Sequence, residues 1–202
     1  MRIVLFGLTG DPVTSAHTEI ITRLSNIYDR VVVIPTNINY YKSYKGHDRA
    51  MFSFAERFDN LVDKCKNLKN VFVSDIERDA IDGWRFFDTL NKVVESYGVQ
   101  NDYFIAIGSD SLQQFKTWYK WESILKIAKL VVFNRPGYTD NFPEDIEYEY
   151  LEMNNSISST KVRQNLLALM DKFEDTIEDN DFDTWIDDLT WAKDIYAEDD
   201  LK

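Results

Sequence analysis

The strongest constraint on the fold is an alternation: short apolar β-prone runs separated by stretches whose apolar residues recur at helical spacing. The runs are Ile3 to Phe6, Val31 to Ile34, Val71 to Val73, Tyr103 to Ile107 and Leu130 to Phe133, with Gly7, Pro35 and Gly108 closing the first, second and fourth. A run that is apolar at every position, without alternation, is a strand buried on both faces. Between them, Ile20, Ile21, Leu24 and Ile27 describe one helix, and Phe54, Phe58, Leu61 and Val62 a second. Phe86, Phe87, Leu90, Val93 and Val94 describe a third, and Trp121 to Ala128 a fourth. Strands alternating with helices of this length form parallel sheets covered on both sides.

The expected fold class is therefore α/β, a doubly wound, Rossmann-like, largely parallel sheet with helices on both faces. Ligands of such sheets bind beyond the carboxyl ends of the strands, where the winding reverses. Gly7 to His17, Gly108 to Asp110 and Asn134 to Tyr138 should all lie at that edge. The chain has 202 residues and is 44% hydrophobic, enough for one core and too little for two independent ones. No internal repeat or Gly/Ser linker divides it. A long polar loop rich in tyrosine and lysine, from Thr36 to Arg49, has the character of a functional segment.

Charge sets a boundary that hydrophobicity does not. The formal net charge is −12, and from Met170 onward there are 13 acidic residues against 3 basic ones. Residues 1–169 are near neutral, form the main expected domain and could host an anion site. Residues 170–202 form an acidic C-terminal extension, in which Phe173, Ile177, Phe182, Trp185, Ile186, Leu189, Trp191, Ile195 and Tyr196 keep rough helical spacing. A strongly acidic chain is not built to neutralise many phosphates, so a non-specific nucleic-acid binder is excluded. The single cysteine, Cys65, can make no intramolecular disulfide and anchors no metal cluster. No segment approaches the roughly 20 apolar residues of a membrane span, and a soluble cytoplasmic protein is expected.

Two loops carry the chemistry. After the first strand, Gly7-Leu8-Thr9-Gly10-Asp11-Pro12-Val13-Thr14-Ser15-Ala16-His17 delivers Thr14 and His17 to the start of a helix. Helix N-terminal amides, with a hydroxyl and an imidazole three residues apart, can surround a phosphate. The same residues also fit a turn, a Ser/Thr cap and an exposed histidine. Far along the chain, Ser156-Ile157-Ser158-Ser159-Thr160-Lys161-Val162-Arg163 opens another helical pattern with consecutive hydroxyls and an arginine. Such a segment offers donors to an anion where the helix dipole also favours one; it also fits an ordinary hydroxyl-rich N-cap.

These residues carry a resemblance. The strand-1 loop resembles the H/T-x-G-H signature of the nucleotidylyltransferase superfamily, and Ser156 to Arg163 resembles the I-S-S-T-x-x-R signature of its nicotinate/nicotinamide mononucleotide adenylyltransferases. Ile107 to Leu112, Phe115 to Tyr119 and Val132 to Tyr138 are similar in order and spacing to the bacterial nicotinate-nucleotide adenylyltransferases. The similarity covers about residues 1–170. It implies an in-line attack by the 5′-phosphate of a pyridine mononucleotide on the α-phosphorus of ATP, with Mg²⁺ carried by ATP, pyrophosphate released, and no covalent enzyme intermediate. Such chemistry asks the protein for positioning and charge neutralisation.

By the same resemblance His17 donates to the α-phosphate, Thr14 stands where many members have histidine, and Lys42 falls at a phosphate-binding lysine. Gly7, Leu8, Thr9, Gly108, Asp110, Ser158, Ser159, Thr160 and Arg163 match ATP contacts, with Asp110 accepting from ribose hydroxyls. Trp118 matches an aromatic that stacks on the pyridine ring, and Arg135 an arginine beside the mononucleotide. Trp84 and Phe86 belong to that second subsite; there Trp84-Arg85-Phe86 replaces the S-Y-T whose threonine helps read the nicotinate carboxylate, and Arg85 offers a charge in exchange. Leu8, Gly10 and Ala16 also depart from the family pattern. Arg57 matches an arginine of mixed structural and phosphate-facing character. The expected partners are small molecules, with a homo-oligomer left open. The alternatives are an adenylyl- or cytidylyltransferase for another phosphorylated acceptor, such as phosphopantetheine, and a non-catalytic nucleotide-binding regulatory module.

Overall fold

The computed structural model describes residues 1–37, 52–80, 84–134 and 142–153, together with positions 162 and 164. The five expected strands form as β1 (Arg2–Leu8), β2 (Arg30–Pro35), β3 (Val71–Val73), β4 (Asp102–Gly108) and β5 (Ala128–Phe133). A sixth, β6 (Tyr148–Leu151), was not expected. Its residues are largely exposed, so it lacks the apolar run by which the others are recognised. All pair in parallel in the order β3-β2-β1-β4-β5-β6.

The register explains the apolar runs. Leu5 of β1 lies between Val32 of β2 and Ile105 of β4, and the three are fully buried. Successive residues face opposite sides of the sheet. Val4 and Phe6 pack in one layer with Ile21, Leu24 and Leu61. Ile3 and Leu5 pack in the other with Leu90, Val93, Leu112 and Ile124. Every position of the strand interior is thus core, as the absence of alternation in the sequence implies.

The first layer is carried by α1 (Ser15–Ile27) and α2 (Phe54–Cys65), the second by α3 (Phe86–Tyr97), α4 (Ser109–Gln113) and α5 (Trp121–Ile127). Each long helix has a local reason to start or stop. Ser53 caps α2, its side chain accepting from the Glu56 amide while Glu56 accepts from the Ser53 amide at 2.8 Å. Gly98 ends α3 at φ +92°, in the left-handed region that favours glycine. The short α4 and a 3-10 turn at Phe115–Thr117 were not expected, being too brief to leave a periodic signal. No described helix is long and apolar enough to cross a membrane.

The order 3-2-1-4-5-6 reverses its winding between β1 and β4. Gly7 and Leu8 end β1, Gly108 ends β4 opposite Phe133 of β5, and Asn134 follows directly. These parts of the expected ligand edge therefore share the carboxyl side of the sheet. Among the later residues, Val162 is helical and buried, as its place in the apolar pattern requires. The helices expected in the 170–202 extension lie outside the described residues.

Candidate active site

The strand-1 loop is built to present one imidazole. It turns through Gly10, at φ +60°, where an added Cβ would also approach Val13 to 3.2 Å, then passes a cis Asp11–Pro12 bond to Thr14, the N-cap of α1. The Thr14 backbone N–H donates to Nδ1 of His17 at 3.0 Å, and Thr14 Oγ1 lies 2.9 Å from the same nitrogen. This is a capping box with imidazole in place of the usual Glu or Gln.

That contact fixes chemistry as well as shape. A backbone N–H can only donate, so Nδ1 is the unprotonated nitrogen, Thr14 Oγ1 donates to it too, and Nε2 carries the proton. His17 therefore turns an N–H donor away from its own backbone. The ring, 7% exposed, leans on Phe6 with centroids 6.5 Å apart. The fit to an exposed histidine is thereby excluded.

Beneath the loop lies a buried cation. Arg57, in the first turn of α2, is 3% exposed. Its Nη1 donates to Thr9 O at 2.6 Å and Thr36 O at 2.8 Å, its Nε to Phe52 O at 3.1 Å, and its Nη2 to Asn37 O at 3.5 Å. Burial lowers its pKa from the ordinary arginine value, and the nearby Asp11 carboxylate opposes that shift. Asp11, itself 3% exposed, accepts from the Phe52 amide at 3.0 Å. Thr36 also donates its amide to Leu8 O at 2.9 Å. The ends of β1 and β2 and the start of α2 are thus drawn together.

On the opposite face of β1 the surroundings are aromatic. A Cβ at Gly7 would lie 3.4 Å from the Phe86 ring, an ordinary van der Waals distance, so Phe86 of α3 covers the end of the strand. Phe86 meets Trp118 at a centroid distance of 5.4 Å, and Trp118 meets the fully buried Phe115 at 5.2 Å. Phe86 and Trp118 are only half-buried, leaving ring surface open. Trp84 is placed differently, its ring lying under Lys92 Nζ at 4.6 Å along α3. The Arg85 guanidinium lies 5.8 Å from the Tyr119 ring, beside Trp118 in the chain.

Gly108 caps α4, and the half-buried Asp110 stands in its first turn. The structure thus brings Gly7, Leu8, Thr9, Thr14, His17, Gly108, Asp110, Phe86 and Trp118 to the switch-point edge. Lys42, Arg135, Ser158, Ser159, Thr160 and Arg163 lie outside the described residues. Sequence reasoning assigned nothing to Glu77, a buried carboxyl that accepts from Thr89 Oγ1 at 2.7 Å and ties the loop after β3 to α3. Its pKa is raised by burial and partly restored by the Thr89 and Asn37 hydrogen bonds. No local pattern marks such a residue before folding.

A polar loop on one side of the reversal and an aromatic cluster with open ring surface on the other define a nucleotide-handling protein of doubly wound α/β type. The chain belongs to the cytidylyltransferase-like family, whose model matches residues 5–165, and within it to the nicotinate-nucleotide adenylyltransferases. It is 32% identical over 181 residues to the "Probable nicotinate-nucleotide adenylyltransferase" of Fusobacterium nucleatum, covering 82% of this chain and 88% of that protein. The protein of the same name from Aliarcobacter butzleri is 29% identical over 168 residues, with 82% and 88% covered. A solved nicotinic acid mononucleotide adenylyltransferase of Plasmodium falciparum, complexed with NaAD, shares the fold at a TM-score of 0.66 and 18% identity, covering 81% of this chain and 82% of that one.

Proposed function

We propose that the protein joins ATP and nicotinate mononucleotide into the deamido dinucleotide, releasing pyrophosphate, as a soluble cytoplasmic enzyme of NAD biosynthesis. One 5′-phosphate oxygen of the mononucleotide forms a bond to the α-phosphorus of ATP while the bond from that phosphorus to the bridging oxygen breaks. The pyrophosphate leaves with the electron pair. Mg²⁺ enters with ATP as part of that substrate.

The observation that carries this reading is the capping box at the switch point. It commits Nδ1 of His17 inward, so that in this reading Nε2–H is the donor turned to the α-phosphate oxygens as charge grows on them. Preorganisation by a backbone amide means that no reorientation is needed when the transition state forms. In this reading the chain from Gly7 to Thr9 lines the ATP side, Gly108 and Asp110 hold the ribose, and Phe86 and Trp118, packed against each other, offer their open ring surface to the pyridine ring. Trp84 flanks that subsite. Lys42, Ser158, Ser159, Thr160 and Arg163 complete the triphosphate clamp, and Arg135 faces the mononucleotide.

Nicotinamide mononucleotide is the second substrate to weigh, because stacking on the open surface of the Phe86–Trp118 pair reads a flat ring regardless of its substituent. The Arg85 charge near Tyr119 favours the acid. The test is pyrophosphate release with Mg²⁺-ATP and each mononucleotide, compared as kcat/KM. Turnover with nicotinate mononucleotide is expected. Release no faster than background with both mononucleotides rejects the enzymatic reading, and ATP binding without product by calorimetry would favour a regulatory module.

A further inference from the structure

We propose that Arg57 is a positioning residue for this reaction, holding the strand-1 loop against the segment that leaves β2 and thereby fixing the His17 imidazole. The inference rests on the adenylyl-transfer reading for its kinetic consequence, but not for its structural one.

Three observations carry it. The guanidinium gathers carbonyls from three separate stretches: Thr9 after β1, Thr36 and Asn37 after β2, and Phe52 before α2. A space that only needed filling would be served at lower desolvation cost by an apolar side chain. Secondly, the clamp closes on the loop at both ends. Thr9 is held by Arg57, Asp11 by the Phe52 amide, and Thr14 by the imidazole itself. The six residues from Thr9 to Thr14 are therefore pinned at three points between the cation and the histidine. Thirdly, Arg57 is 3% exposed and engaged with main-chain oxygens, so it acts through the loop and not by touching phosphate. Asn37, its outermost partner, directly precedes the segment that contains Lys42, so the same cation sets the root of that segment against the His17 loop.

Lysine cannot replace this function fully. Its ammonium is a point charge with three donors and lacks the planar fork by which Nη1 reaches Thr9 and Thr36 while Nε reaches Phe52 and Nη2 reaches Asn37.

The test is imidazole ¹⁵N NMR on the full-length protein, with Arg57→Lys and Arg57→Met. The chain has 2 histidines, so a His47→Asn variant assigns the spectrum. In the parent, His17 should show an unprotonated Nδ1 and a protonated Nε2. In Arg57→Met both nitrogens should move toward the averaged tautomers of a free imidazole, with Arg57→Lys intermediate. Kinetically, kcat should fall about 10- to 100-fold, the cost of a small misplacement of a catalytic group, with little change in KM for ATP. In a His17→Ala background the Arg57 substitutions should cost almost nothing further.

A His17 signature unchanged in either folded variant overturns the proposal, as does an equal loss of kcat with and without His17. If Arg57→Met does not fold, Arg57→Lys decides by the same two readings. If the parent has no turnover, the reaction reading fails while the imidazole spectrum still settles the positioning role.

Discussion

The two sides of the β1 end are constructed by opposite means. The loop side is held by directional hydrogen bonds from Thr14, Thr36 and Arg57, each aimed at one acceptor. The α3 side is held by ring contacts at Gly7, Phe86, Trp118 and Phe115, tilted at interplanar angles of 54° and 43° with no polar atom involved. Phosphoryl transfer depends on where a charge develops, which demands fixed donors. A flat heteroaromatic ring demands only apolar area, which tolerates adjustment. The contrast predicts that damage to the loop side appears in kcat, and damage to the aromatic side in KM for the mononucleotide.

The sharpest break of that contrast is His17→Ala. Loss of one preorganised donor should lower kcat about 10²- to 10³-fold, with ATP binding by calorimetry little changed; a fall confined to KM would place His17 in ground-state binding. Next in size is Trp118→Ala, where loss of stacking should weaken mononucleotide affinity by about 1–3 kcal/mol and leave kcat at saturation nearly intact. A kcat defect there would make the ring pair as demanding as the loop.

The smallest effect concerns Glu77, which is tied to α3 through Thr89. Because its folded pKa is raised above the unfolded value, the folded state holds a proton that the unfolded chain releases, and stability falls as pH rises through that window. The stabilisation is complete below the unfolded value of about 4.5 and is lost on passing the folded pKa. Denaturation of the parent and Glu77→Gln across pH should show the parent losing stability relative to the variant as pH increases. A constant difference would mean that the carboxyl titrates alike in both states.

The scaffold was largely legible in the sequence because its strands are buried on both faces. Ile3 to Phe6 and Val31 to Ile34 read as core strands without any partner being known, and Gly7 and Pro35 marked their ends to within a residue. β6 escaped because Tyr148, Glu149 and Tyr150 are exposed at a sheet edge, where no periodicity is enforced. Within the site, Thr14 and His17 were readable as a pair from their spacing of three at a helix start. Their hydrogen-bond sense was not, because it depends on which amide meets Nδ1. The Arg57 clamp was only half legible. Phe54, Phe58, Leu61 and Val62 announce the helix that places it, but its acceptors Thr9 and Thr36 lie 48 and 21 residues away in the chain.

The outer strand β6 also bears on how copies of the chain meet in solution. Among the described residues the sheet stops at this strand, and a sheet edge offers amides and carbonyls to any similar edge. Here that edge is four residues long, and Glu149 at its middle also accepts from the Tyr28 hydroxyl. Two such edges brought side by side would set carboxylate against carboxylate, a pairing that costs energy. The sheet thus ends in a charge that discourages its own continuation into a fibre.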